Sequence, residues 1–152
     1  MPLPQTTSPA QSLWTLGCLF TLKSATPELE VIDCLVPPAY SPPLHRHDHV
    51  SESFYVLEGS IRFVVGDDET ICGPGDFVRV PRSAPHSFES LGDEPSRVLD
   101  LIAPGGLWAF FVECGEPAGA LTLPPAVTIP GDLPAIVARH NGAVLGPPIN
   151  RA

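Results

Sequence analysis

Apolar residues along this chain fall in short runs broken by turn-forming residues. In SFYVLEGSIRFVVGDDETICGPGDFVRVP the runs 53–57, 61–65, 70–72 and 77–80 are separated by Glu58-Gly59, Gly66-Asp67-Asp68 and Gly73-Pro74-Gly75. Short runs that alternate between faces, divided by glycine-rich turns, predict hairpin strands. The stretches 13–23 and 28–36, and later HSFESL and SRVLDLIA, read as further strands. PPAYSPP places proline at four positions and can only be a connection between strands.

The pattern changes after residue 104. GGLWAFFVECG, 105–115, spaces Leu107, Phe110, Phe111 and Cys114 as a helix would, with glycines at both ends. PGDLPAIVARHNG, 130–142, starts at Asp132 as an N-cap, continues through Leu133, Ile136 and Val137, and stops at Asn141-Gly142. The expected organisation is an arm over 1–11, an all-β domain over 12–104 and a helical extension over 105–152 packed on it. Strands this short and this evenly spaced point to a sandwich or barrel.

Composition narrows the partners. Seventeen acidic residues against 8 basic ones give a formal net charge of -9, so no basic face exists to meet nucleic-acid phosphates. Twenty prolines and 13 glycines disfavour long helices. No apolar stretch approaches the ~18 residues that span a membrane. The start MPLPQTTSPAQSLW lacks the charged and apolar regions of a signal peptide, so a cytoplasmic location is expected. Cys18, Cys34, Cys72 and Cys114 are scattered in apolar contexts, which predicts free, buried thiols.

The chemistry concentrates in PPLHRHDHVSESFYVLEG, 42–59, which holds three of the five histidines. Along a strand His45, His47 and His49 point the same way, with neighbours ~6.6 Å apart at ~3.3 Å per residue. The pair 45/47 or the pair 47/49 could meet one ion, but all three could not without a bend. Glu52 opens the next strand beyond a bend at 49–51, so an antiparallel return could carry its carboxylate to the same ion. His86, in VPRSAPHSF, follows a proline-rich turn and offers a further imidazole. Three imidazoles and a carboxylate suit a divalent transition metal (Fe, Ni, Mn, Co or Zn) and leave coordination positions open. Strand parity that turns these groups inward also turns Phe54, Val56 and Phe88 inward, as the apolar wall of a substrate pocket. Arg46, Arg82 and Asp100 are expected to face outward, and His140 to lie apart from the site.

These residues resemble the two motifs of the cupins. The first reads His45-x-His47, four residues, Glu52, six residues, Gly59. The second reads Gly75, five residues, Pro81-Arg82-Ser83-Ala84-Pro85-His86, then Ser90. Ala39 and Ser83 stand where these motifs carry glycine, and Ser90 where they carry asparagine. The resemblance implies a cupin jelly-roll, His45, His47, Glu52 and His86 as metal ligands, and His49 as an extra histidine beside them. It also implies a homodimer acting on a small molecule. More loosely, the layout is similar to small bacterial cupins with quercetin-type dioxygenase or polyketide-cyclase activity. On the dioxygenase reading the substrate is aromatic or enolic, with Glu52 as proton acceptor. On the cyclase or isomerase reading His49 or Glu52 moves protons. A non-catalytic metabolite-binding cupin is the third possibility.

Overall fold

Residues 11–150 are described in the computed structural model. The turn-separated runs form the strands that their pattern predicts. They are β1 (Ser12–Thr15), β2 (Cys18–Ala25), β3 (Glu30–Val36), β4 (Pro43–His47), β5 (Ser51–Glu58), β6 (Ser60–Val65), β7 (Asp68–Cys72), β8 (Phe77–Val80), β9 (His86–Leu91) and β10 (Ser96–Ala103). Two short helices follow, α1 (Trp108–Cys114) and α2 (Leu133–Arg139), with β11 (Gly115–Pro117) and β12 (Gly142–Pro148) after them in turn.

All strand pairs are antiparallel and form two sheets, ordered β11-β1-β2-β3-β10-β5-β8 and β12-β4-β9-β6-β7. This is the all-β jelly-roll architecture, with its core between the inner faces. Ile32, Val56, Ile61, Phe63, Val98 and Ile102 are fully or almost fully buried there. Alternation is the cause: on β5, Glu52, Phe54 and Val56 are buried while Tyr55 is exposed.

The extension after residue 104 is not purely helical. β11 pairs with β1, and β12 pairs with β4 through Gly142↔His47 and Val144↔His45. The strand that carries two histidines is therefore held from both sides, by β12 and by β9. β12 reads poorly as a strand in sequence because Gly146, Pro147 and Pro148 interrupt it, and its register shifts at those residues. Of the arm over 1–11, all but Gln11 lies outside the described residues.

Three backbone positions explain the motif spacing. Gly59 has φ +88°, and a Cβ there would lie 2.4 Å from Ser96 Oγ and 2.9 Å from Ser96 Cα, so only glycine fits. Ala39 and Ser83 adopt φ 62° and 66°, the left-handed conformation that glycine takes most easily. The Ser83 N–H donates to the carbonyl of His47 at 2.8 Å, so this turn ties the strand of His47 to the approach of His86. Cys18, Cys34, Cys72 and Cys114 are all free and buried. Among the described residues no helix is long and apolar enough to cross a membrane.

Candidate metal centre

Two sheets meet at the site. His45 and His47 come from β4 and His86 from β9, with His45 directly opposite His86 in the strand register. Glu52 comes from β5 in the other sheet. The bend at 48–50 therefore carries the chain from one sheet to the other, rather than folding it back as a hairpin beside β4. One ligand atom from each of the four residues lies within 4.8 Å of the others. The His45 ring centroid is 4.9 Å from that of His47 and 4.3 Å from that of His86. Glu52 Oε1 lies 2.9 Å from His47 Nε2 and 3.3 Å from His86 Nε2.

The tautomers follow from the neighbours. His45 Nδ1 faces the carbonyl of Pro43 at 2.7 Å, and His86 Nδ1 faces that of Ala84 at 2.9 Å. A carbonyl only accepts, so both Nδ1 atoms carry hydrogen, and in the neutral ring Nε2 is a bare lone pair. Burial, then the charges of His86 and His47, push the His45 pKa down to about 3, so this ring is neutral. Burial alone would raise the pKa of Glu52, but the charge of His47 and its close contact at 2.9 Å hold it well below the ordinary range. His86 Nε2 is buried and, despite its distance to Glu52, is hydrogen-bonded to nothing. A lone pair and a carboxylate oxygen 3.3 Å apart with no donor between them repel each other. A cation among the four groups would remove that repulsion, so the donor set fits a divalent transition metal.

The cluster lies against a cavity of about 750 Å³, counting its open mouth. Phe54 and Phe88 line it, as the strand parity predicts. Val56 does not: it points inward but is sealed in the core, 0% exposed. His49 is exposed on the bend after β4 and belongs to neither the cluster nor the cavity wall. The bend that lets Glu52 cross between sheets is what turns His49 away. Arg46 pairs with Asp48 at the surface, and Arg82 is exposed. His140 sits at the end of α2 against Phe110 and 3.4 Å from Glu113, away from the cluster.

Sequence reasoning missed much of the wall. Phe110 and Phe111 of α1 and Leu133 and Val137 of α2 line the cavity, so the extension walls the site and does not merely cover the outside. The start of α1 is pinned by Glu30, whose Oε1 accepts the N–H groups of Leu107 at 2.8 Å and Trp108 at 2.9 Å. Tyr40 and Cys34 also reach the cavity. Asp100 faces inward, 3% exposed, not outward. Its neighbours Leu99 and Leu101 on the outer face of β10 are only half-buried leucines, so β10 lacks the polar alternation that would have revealed its parity. Burial, then the charge of Glu52, pushes the pKa of Asp100 far up.

A profile of the cupin domain family matches residues 32–102. The quercetin 2,3-dioxygenase of Bacillus subtilis is 33% identical over 73 residues, which are 48% of this chain and 21% of that protein. An uncharacterised protein of Methanocaldococcus jannaschii is 28% identical over 67 residues, covering 44% of this chain and 54% of that protein. The chain thus spans about a fifth and about half of these two relatives. The structure of KdgF from a Halomonas species superimposes with a TM-score of 0.56 at 22% identity, over 59% of this chain and 81% of that one. At that identity the likeness concerns the fold.

Proposed function

We propose, from the premise that this chain belongs to the cupin superfamily, that it is a metal-dependent dioxygenase acting on an apolar aromatic or enolic small molecule. The observation that carries this reading is the junction of three imidazoles and a carboxylate with an aromatic cavity. Besides the histidines, the carboxyl groups of the wall are Glu52 and Asp100, the latter held toward its neutral form, and among the described residues no lysine or arginine lines it. A wall of this kind offers no cationic side chain to a charged substrate and accepts flat, apolar ones that carry a hydroxyl or carbonyl oxygen. The partial likeness to quercetin 2,3-dioxygenase supports the same substrate class.

His45, His47, Glu52 and His86 would hold the ion. Once bound, the ion supplies Lewis acidity toward a substrate oxygen and, for a redox-active metal, a site for O2. The remaining work falls to the chain itself. Phe54, Phe88, Phe110 and Phe111 exclude water and orient a flat ring. The carboxylate of Glu52, ionised in this setting, takes the hydroxyl proton of the substrate. His49 has no part, because its side chain is outside the cavity.

The test is oxygen uptake by Fe-, Ni-, Mn- and Co-loaded protein given flavonols and simple enediols. Metal-dependent uptake with one of them supports the reading. No uptake with any, alongside anaerobic turnover of a poly-β-ketone, would replace it with a cyclase that uses the same site without O2.

A further inference from the structure

The aromatic cavity is tighter than the molecules its chemistry suits. Inside its mouth the room for another molecule is about 80 Å³, whereas a single benzene occupies an apolar cavity of roughly 150 Å³. A flat ring carrying an oxygen reaches the buried side chains of His47, Glu52 and His86 only if part of the wall moves. Most of the wall is fixed. The strands are held within their sheets, and α1 is pinned to them twice. Glu30 accepts the N–H groups of Leu107 and Trp108, and Thr15 Oγ1 donates to the carbonyl of Phe111 at 2.9 Å.

The wall residues Leu133 and Val137 sit on an element of a different kind. α2 is seven residues long, too short to persist as a helix by itself. The chain that leads into it, 118–132, has neither strand nor helix, and Val127 and Ile129 on it are exposed. Connections of this length without structure of their own are uncommon and are often active-site lids. The chain is pinned at Thr122, whose carbonyl accepts from Trp14 Nε1 at 2.8 Å. It is pinned again at Asn141, a left-handed residue with φ 61° whose carbonyl accepts the N–H of Asp48 at 2.7 Å. Among the described residues, every hydrogen bond and ion pair that leaves the chain between these pins ends on Glu113. Its carboxylate meets Arg139 Nη2 at 3.1 Å and His140 Nε2 at 3.4 Å.

We propose that residues 123–140 form a lid over the cavity. The strap and α2 swing as a unit about Thr122 and Asn141, withdraw Leu133 and Val137 to admit an aromatic ligand, and close through the latch of Glu113 to Arg139 and His140. The proposal rests on the reading of the cavity as a site for an apolar aromatic molecule. The closed form is the resting one, because Leu133, Ile136 and Val137 are buried in it. Closure over a bound ring keeps water from the cluster.

The test uses the full chain and 2-naphthol, a flat ring with one oxygen whose fluorescence reports binding in stopped flow. Glu113→Lys replaces the latch with a cation beside Arg139. It should speed both association and release of 2-naphthol about fivefold, the scale of an exposed ion pair. Amide hydrogen exchange over 133–139 should rise in that variant, with exchange in β9 and β10 and the metal content unchanged. In wild type the amides of 133–139 should exchange faster than those of β9 and β10, and 2-naphthol should slow them. If Glu113→Lys misfolds, Glu113→Gln takes its place, with an expected change of about twofold. Equal 2-naphthol rates in wild type and the latch variant would overturn the lid. So would wild-type amides over 133–139 that are as protected as those of β10. Wild-type protein that binds no 2-naphthol would remove the aromatic reading of the cavity itself, and the lid with it.

Discussion

The two faces of β9 carry two polar clusters built on opposite principles. On the outer face Glu89 meets Arg62 of the adjacent β6. Arg62 Nη2 donates to Glu89 at 2.7 Å and to the carbonyl of Ile149 at 2.8 Å, Nε donates to Glu89 at 3.0 Å, and Nη1 lies 3.4 Å from Glu69. One guanidinium stands between two carboxylates, and each of its nitrogens faces an acceptor. On the inner face His86 joins His45, His47 and Glu52, and there one atom is left over: His86 Nε2 is buried without a hydrogen-bond partner, 3.3 Å from Glu52 Oε1. The outer cluster is complete and ties β6, β7 and the C-terminal strand together. The inner one leaves an imidazole nitrogen open, in a group that could hold a cation. Spacing of charged residues in sequence does not separate these two cases. The count of satisfied atoms does.

The strongest way to break this contrast is to remove the ligand that faces Glu52 most closely. Saturating Co(II) or Mn(II), at a hundred times its dissociation constant, should stabilise wild type by about 2.7 kcal/mol. His47→Ala should abolish that gain in thermal unfolding, and a full gain in the variant would refute the site. The second test is acid. In the metal-free protein the folded pKa of His45 is about 3 against 6.5 for the free side chain. The unfolded chain therefore takes up the proton first, so this contribution to stability is intact above 6.5 and declines as pH falls toward 3. By about pH 5 the loss is about 2 kcal/mol, and His45→Gln should flatten that slope in urea unfolding. The outer cluster should respond in the reverse manner. Arg62→Met leaves Glu89 without its donor and should cost about 2 kcal/mol, measured by urea unfolding, with metal content unchanged. Loss of metal in that variant would mean that the two clusters are coupled through β9.

Smaller effects sharpen the difference between scaffold and chemistry. Ser83→Gly relieves a left-handed serine and should raise stability by about 0.5 kcal/mol, the strain relieved being partly offset by the greater freedom of glycine when unfolded. It should leave metal content alone, because Ser83 serves the site only through its backbone bond to His47. His49→Ala should change neither metal content nor stability measurably. A loss of metal there would show that the exposed histidine swings into the site.

Much of this was legible in the sequence because strands report parity directly. His45 and His47 two residues apart, Glu52 with Phe54 after the bend, and His86 with Phe88 are all placed by alternation and by the motif spacing. Alternation failed where both faces of a strand are apolar, which hid Asp100 on β10. It placed Val56 inward but could not tell the cavity wall from the sealed core behind it. A strand continued past His47 brings His49 to the site, but β4 ends at His47 and the chain bends there to change sheets. The helices were recognisable from their apolar spacing, but Phe110 and Phe111 became part of the cavity through Glu30, whose bonds to the start of α1 span 77 and 78 residues of sequence. β12 was hidden by its own prolines and glycines.

Elemental analysis of the untagged full chain tests the central claim most directly. The account predicts about one divalent transition-metal ion per chain in wild type after exposure to metal and exhaustive dialysis, and almost none in a His45, His47, Glu52 and His86 quadruple alanine variant that keeps its β-rich circular dichroism. A wild-type protein with no retained metal, or equal retention in both proteins, would contradict it.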